Sequence, residues 1–198
     1  MSFEQTVRVP LERVGVVIGK EGSTKRSLEE DLGVKLGIDS REGVVTIRSD
    51  SIELGNPFIA RNVVEAIGRG FSPQRAKLLR NEGISFEVVD LRSLAGRSPN
   101  SLDRVKGRII GLKGKSRRVI EELTHCHLSI YGRTVAIIGE ATDVRLASEA
   151  IRKLASGSQH RTVYKELQTA RTTRKMERMI LWEGSSPESI SDRLGQED

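Results

Sequence analysis

Along this chain the apolar positions change period several times, and each change marks a predicted element. Residues 5–10, QTVRVP, alternate polar and apolar side chains as a short strand does. Pro10 then opens a helix to about Ile18, because its fixed φ suits a first helical position. The loop GKEG, residues 19–22, interrupts that helix. Ser23 or Thr24 can cap a second helix, which runs to about Leu32 and is ended by Gly33. VKLGID and VVTIRS, residues 34–39 and 44–49, read as two strands joined by a tight turn over 41–43. A third helix covers about 56–67, with Gly68 and Gly70 closing it.

The same order returns in the second half. ISFEVVDL, residues 84–91, is a strand. Helices follow over about 101–110 and 115–125, strands over 127–131 and 134–138, and a helix over 141–155. Between the halves, residues 72–83 read as a short helix opened by Ser72-Pro73 and ended by Gly83. The connection is therefore structured, and the two halves are expected to pack together. Beyond residue 156, Val163, Leu167, Ala170, Met176, Met179, Ile180 and Trp182 put an imperfect apolar stripe on a basic helix. Docking on the core through that stripe is the expectation, with Tyr164 and Trp182 as packing residues; RNA binding, which is compatible with docking through the basic outer face, and contact with a protein partner are the alternatives. Residues 183–198 are polar and contain Pro187, a composition of disorder.

The recurrence extends to single residues. At an offset of 92, Gly15 matches Gly107, Ile18 matches Ile110, Gly19 matches Gly111, Gly22 matches Gly114 and Arg26 matches Arg118. Glu29-Glu30 match Glu121-Glu122, Leu36 matches Leu128 and Ile38 matches Ile130. Glycines, apolar positions and one basic position are what a shared backbone requires. The predicted fold is therefore α+β: two tandem units, each strand-helix-helix-strand-strand-helix, each a three-stranded antiparallel sheet with helices on one face. The units are placed at 4–70 and 84–156, with a helical linker at 71–83 and a C-terminal helical extension at 157–182.

Charge narrows the function. The net charge of +6 and pI near 9.7 favour a polyanionic partner. Aromatic residues at 4% argue against stacking several bases on an aromatic sheet. Cys126 is the single cysteine, so no internal disulfide forms and a reducing compartment is expected. The opening MSFEQTVRVP carries no apolar run of the kind a signal peptide needs, and no stretch is long and apolar enough to span a membrane. A cytoplasmic protein without membrane contact, metal or cofactor is the expectation.

The candidate chemistry lies in two loops that look built for phosphate. A nucleotide-binding Walker loop needs G-x-x-x-x-G-K-[ST]. GKS is present at Gly114 to Ser116, but Ile109 stands where the leading glycine belongs, and Glu21 stands at the Ser/Thr position of the first copy. Both loops also follow a helix rather than a strand. A polynucleotide backbone fits better. Glycines flanking two residues let a backbone approach closely, and the N–H groups opening the next helix face its phosphates.

The motifs VIGKEGSTKR and IIGLKGKSRR, each between two helices and followed by two strands, resemble the KH domain of type I. In that family the GxxG loop clamps about four nucleotides of a single strand. The resemblance implies RNA-binding residues Ile18, Gly19, Lys20, Glu21, Gly22, Lys25 and Arg26 in the first unit. In the second it implies Arg108, Ile110, Gly111, Leu112, Lys113, Gly114, Lys115, Arg117 and Arg118. Arg108 either reaches the nucleic acid or is solvated. Ile110, Ile120, Leu128 and Ile130 are groove candidates, with ordinary core the alternative for Ile120 and Leu128. The second loop is expected to carry more of the affinity: residues 107–118 net +5, whereas residues 15–26 net +2 and place Glu21 inside the clamp.

NSLDRVKGRIIGLKGKSRRVIEEL followed by GSQHRTVYKEL is similar to the archaeal relatives of the Dim-type, or partner-of-Nob, ribosome-assembly proteins, over roughly residues 4–182. That resemblance implies binding near the 3′ end of small-subunit rRNA and assistance to the endonuclease that matures it. It also implies a link to the alpha subunit of translation initiation factor two. The departure is Glu21, which puts the first unit's RNA contact in question. A KH protein acting on messenger RNA or in translation initiation is the alternative within the class. A protein-contact scaffold without an RNA clamp is the alternative outside it. Two further features are set aside. His125 and His127 would share a strand face opposite Cys126, with no second ligand pair near. Glu29-Glu30 and Glu121-Glu122 point apart on a helix, so they are read as charge balance for Arg26 and Arg118 rather than as catalytic carboxylates.

Overall fold

The computed structural model describes residues 3–49, 56–95 and 99–183. The first half builds β1 (Phe3–Arg8), α1 (Leu11–Ile18), α2 (Ser23–Leu32), β2 (Lys35–Asp39), β3 (Val44–Ser49) and α3 (Pro57–Gly68). A short helix α4 (Pro73–Ala76) and a 3₁₀ turn (Lys77–Arg80) lead into the second half. There the order is β4 (Ile84–Asp90), α5 (Arg92–Ala95), α6 (Pro99–Ile110), α7 (Lys115–Thr124), β5 (His127–Tyr131), β6 (Thr134–Glu140) and α8 (Ala141–Ala155). Helix α9 (His160–Glu183) follows. The predicted order is present in both halves, with the single turn α5 as an addition.

Each sheet is antiparallel, in the orders β1-β3-β2 and β4-β6-β5. The helical hairpin carries the chain from one edge position to the other, and the following strand fills the gap between them. The centre of each sheet is thus the last strand made.

The two central strands differ in burial for a tertiary reason. On β3 the buried residues alternate: Val45, Ile47 and Ser49 face the helices. On β6 every residue from Thr134 to Gly139 is buried. Val135 and Ile137 face their own helices. Ala136 and Ile138, on the opposite face, join the apolar cluster of the first half, with Phe71, Ala76 and Leu79. The second sheet is therefore covered on both sides, once by its own helices and once by the first unit and the linker. Polar contacts line the seam: Ser129 Oγ donates to the Arg69 carbonyl at 2.9 Å and the Tyr131 hydroxyl donates to Glu12. Lys77 of the linker ion-pairs with Asp31 at 2.7 Å and donates to Ser27 Oγ at 2.5 Å, while Arg80 meets Asp31 at 3.0 Å. The hydrogen bond from Lys77, followed by the two positive charges, holds the Asp31 carboxyl below its ordinary range.

Helix α9 docks, but only as far as Arg174. Val163 and Leu167 are buried in the second core, and Tyr164 packs at its edge. His160 Nε2 lies 2.8 Å from the Arg108 carbonyl, Lys153 pairs with Glu166 at 2.7 Å, and Arg174 reaches Asp143, Glu140 and Thr142. The expected stripe ends there: Met176, Met179 and Ile180 are exposed, because α9 outruns the helices it packs on. The side chain of Trp182 and the tail 184–198 lie outside the described residues.

The HCH triplet is not laid out as a strand. His125 ends α7 in the left-handed region, φ 54°, at the position where Gly33 ends α2, so His125 and His127 share no strand face. Among the described residues no group of three His, Cys, Asp or Glu is placed to hold a metal. Cys126 is buried against Gly139, where an added Cβ would come 2.6 Å from Sγ. Burial pushes the thiol from 9.0 up to about 11. The folded protein should therefore leave Cys126 unalkylated by iodoacetamide at pH 8 for hours, with rapid reaction after unfolding in guanidinium. Mass spectrometry reads the adduct, and native labelling at the denatured rate would contradict it. The sign for stability follows: the folded state retains a proton that the unfolded state has released, so stability falls as pH rises from about 9 to about 11.

Candidate nucleic-acid interface

The two glycine loops adopt one backbone path. Gly19 has φ 74°, ψ 175° and Gly111 has φ 71°, ψ 174°. The third loop residue is left-handed in both, Glu21 at φ 52° and Lys113 at φ 50°, and the closing glycines Gly22 and Gly114 lie at φ 77° and 74°. Three positive φ values in four residues turn the chain sharply between the helices. The cost of a non-glycine in that region, about 1–2 kcal/mol, is carried at Glu21 and Lys113.

An arginine holds each loop. Arg26 Nη2 donates to the Glu21 carbonyl at 2.8 Å, and Arg118 Nη2 donates to the Lys113 carbonyl at 3.2 Å. The arginine five residues on thus bonds the left-handed residue's own backbone in both copies. It was expected among the phosphate contacts, and its guanidinium has a structural bond to maintain. Only the recurrence of the arginine at the same offset hinted at this.

Glycine is required at the front of each loop for space as well as for φ. A Cβ on Gly111 would lie 2.7 Å from Ser116 Cβ and 2.8 Å from Ser116 N, and one on Gly19 would lie 2.6 Å from Thr24 N. A Cβ on Gly114 meets nothing within 4 Å. Gly111→Ala should therefore cost several-fold more RNA affinity than Gly114→Ala. It should also destabilise the protein by about 2–3 kcal/mol against about 1. Anisotropy titration and urea unfolding of the pair check this, and equal effects would refute it.

Around the second loop the predicted cations separate into two sets. Lys113 and Lys115 are exposed and make no side-chain hydrogen bond or ion pair among the described residues. Arg117 is half-buried, with Nη2 3.3 Å from Glu121 Oε1 and a buried Nε lacking a partner among the described residues. Arg108 is neither solvated nor aimed outward: Nε donates to the Leu154 carbonyl at 3.0 Å and Nη2 to the Ser158 carbonyl at 2.7 Å. It caps the end of α8, as Arg13 caps α3 through the carbonyls of Ile67 and Phe71. The two arginines stand at different repeat positions, so alignment of the copies could not reveal the shared role.

The apolar candidates also divide. Ile120 and Leu128 are fully buried core, not groove. Ile110 is exposed, Ile130 half-buried, and Leu112 stands 85% exposed at the loop tip. Helix periodicity explains the split, since Ile109 takes the inward position beside Ile110. The glutamates resolve as scaffold. Glu29 Oε1 accepts from Leu36 N at 2.7 Å and Glu121 Oε1 from Leu128 N at 2.8 Å, each tying a helix to the next strand. Their ionic partners are Lys25 and Arg117, one residue before the arginines expected.

In the first loop Lys20 and Glu21 are both exposed, so the carboxylate offsets the lysine beside it. The second loop presents Lys113 and Lys115 with no acid among its residues. That arrangement, an open backbone turn at the start of a helix with free cations beside it, suits an extended polyanion.

Comparison with known proteins agrees with this geometry. Residues 85–172 match the family model of the eukaryotic type KH-domain (KH-domain type I), and residues 4–54 match that of the KH domain. A KH domain-containing protein of Methanocaldococcus jannaschii is 44% identical over 184 residues, 92% of this chain and 80% of the relative. The pre-rRNA-processing protein PNO1 of Chaetomium thermophilum is 31% identical over 134 residues, 66% of this chain but 49% of the relative. In solved structures, a chain of the a/eIF2alpha-aDim2p-rRNA complex of Pyrococcus horikoshii superposes with TM-score 0.81 at 43% identity. It is 96% covered, over 87% of this chain.

Proposed function

This chain belongs to the PNO1/Dim2-type family of tandem KH-domain proteins, and from that premise we propose that it clamps single-stranded RNA near the 3′ end of small-subunit rRNA, assisting its processing and subunit assembly. The observation that carries this reading is the second GxxG loop: its backbone is opened by two positive-φ glycines and it holds Lys113 and Lys115 free beside a helix start. Lys113, Lys115 and the Gly111–Gly114 backbone hold phosphates, while Ile110, Leu112 and Ile130 offer the apolar surface for bases. The corresponding first-unit residues contribute less, because Glu21 repels the same phosphates.

The protein acts as a non-enzymatic adaptor in the cytoplasm. Supporting this, Glu29 and Glu121, on the helices that follow the loops, are engaged with backbone amides and cations. Among the described residues no helix is long and apolar enough to cross a membrane. A second reading, action at translation initiation, is favoured by the presence of a/eIF2alpha in the neighbouring complex, and that factor is the protein partner we assign.

The test is fluorescence anisotropy with a short RNA copying the 3′ end of small-subunit rRNA beside a scrambled control. Preference for the rRNA end is the expected result. Equal binding of both would leave the clamp and remove the rRNA assignment, and absence of binding would turn the reading to a protein-contact scaffold.

A further inference from the structure

Helix α9 carries a row of cations that nothing in the described protein neutralises. Arg161, Lys165, Gln168, Thr172 and Lys175 recur every three or four residues, which places them on one helical face, with Arg171 beside them. All six are exposed, and among the described residues Arg161, Lys165, Arg171 and Lys175 make no ion pair or hydrogen bond with their side chains. Arg174 differs: it faces the core and is held by Asp143 and Glu140. The acids of the docked part do not compete, since Glu166 is bound to Lys153.

Two shallow, open hollows lie along this face. One shallow hollow is lined by Arg161, Tyr164, Lys165 and Gln168. The next shares Gln168 and continues over Arg171, Thr172, Lys175 and Leu123 of α7. From Arg161 to Lys175 the trough runs about 21 Å at 1.5 Å per residue, on the order of six phosphate spacings of a stacked strand. It also begins close to the second glycine loop. His160 is bonded to the carbonyl of Arg108, three residues before Gly111, and Arg161 is the next residue. A strand leaving the loop therefore meets the start of the trough.

We propose that this face of α9 is a second phosphate-binding track, continuing the path of a single RNA strand beyond the Gly111–Gly114 loop. The inference rests on the RNA reading of that loop. Chemistry favours RNA over a protein on this face. The row interleaves cations with Gln168, Thr172 and the edge of Tyr164, and the exposed apolar residues of α9 begin only at Met176. A protein interface would need an apolar centre, which the row lacks.

The experiment uses the full chain and two RNAs, one of about five nucleotides that fills only the loop and one of about twelve that also reaches α9. The variant combines R161Q, K165Q, R171Q and K175Q. These side chains have no partners among the described residues, so its thermal midpoint should match the wild type. Binding is followed by anisotropy at several salt concentrations. We expect the wild type to bind the longer RNA about tenfold more tightly. The variant should bind the short RNA normally, lose that gain, and show a salt slope for the long RNA shallower by roughly 2 to 3, at about 0.7 per cation removed. Unchanged affinity and slope for the long RNA in the variant would overturn the track and leave the loop clamp standing. So would a wild type indifferent to length. Binding of neither RNA by the wild type would remove the loop reading and the track together.

Discussion

Replacing Lys113 and Lys115 together by aspartate is expected to lower affinity for single-stranded RNA on the order of 100-fold, while Lys20→Asp changes it by less than about threefold. The difference follows from what surrounds each lysine. Lys113 and Lys115 are without partners among the described residues on a loop with no acid, and two reversals lower the net charge of residues 107–118 from +5 to +1. Lys20 is followed by Glu21, and the pair already presents little net charge to a phosphate. Both lysines of the second loop are exposed and their side chains make no bonds among the described residues, so the double variant should melt as the wild type does. The dependence of affinity on salt should weaken with the affinity, because fewer counterions are released on binding. Equal losses from the two loops would make the clamps equivalent and refute that inequality. No loss from either would move the RNA away from the glycine loops.

Ile138→Asp is expected to destabilise the protein by about 4 kcal/mol or more, whereas Thr46→Asp, at the same repeat position, should cost within about 1 kcal/mol. Ile138 lies on the central strand of the second sheet, 1% exposed against the first unit's apolar cluster. A carboxyl there loses the buried side chain and is left without a partner away from water. Thr46 holds the corresponding place on β3, paired with Thr6 and Gly37 on a face that is only half-buried. Urea unfolding measures both. The Ile138 variant should also unfold in separate steps, since the seam that couples the halves is what it damages. Similar costs at the two positions would mean that the packing of the second sheet on the first unit contributes little.

That pair of positions shows what was legible in the chain. Period and punctuation were enough for the elements: β3, β5 and α8 have their predicted bounds, and the other long elements of the repeated units begin or end within about two residues of the expectation. The loops were legible because glycine at 19, 22, 111 and 114 reports a backbone requirement, and a requirement of φ does not depend on distant residues. The site was legible only in part. Lys113 and Lys115 stand where a solvated lysine belongs, but Arg108, Arg118 and Arg26 are turned into carbonyls that no local pattern announces. An arginine's sequence context does not say whether its five donors face a ligand or a helix end. The C-terminal stripe shows the opposite failure: Met176, Met179 and Ile180 continue the apolar period of α9 beyond the surface available to cover them.

By itself the sequence determined the repeated α+β unit, the two glycine loops and the greater positive charge of the second, because periodicity, glycine φ and formal charge are local properties. The tertiary structure alone decided which apolar face of each strand is doubly covered, which arginines are structural, and where α9 stops docking. Each of those depends on groups tens of residues apart being brought within a few ångströms, as Arg108 is to Leu154 and Ser158, and as Ser129 is to Arg69. A single chain pattern carries no term for that distance, and packing supplies it.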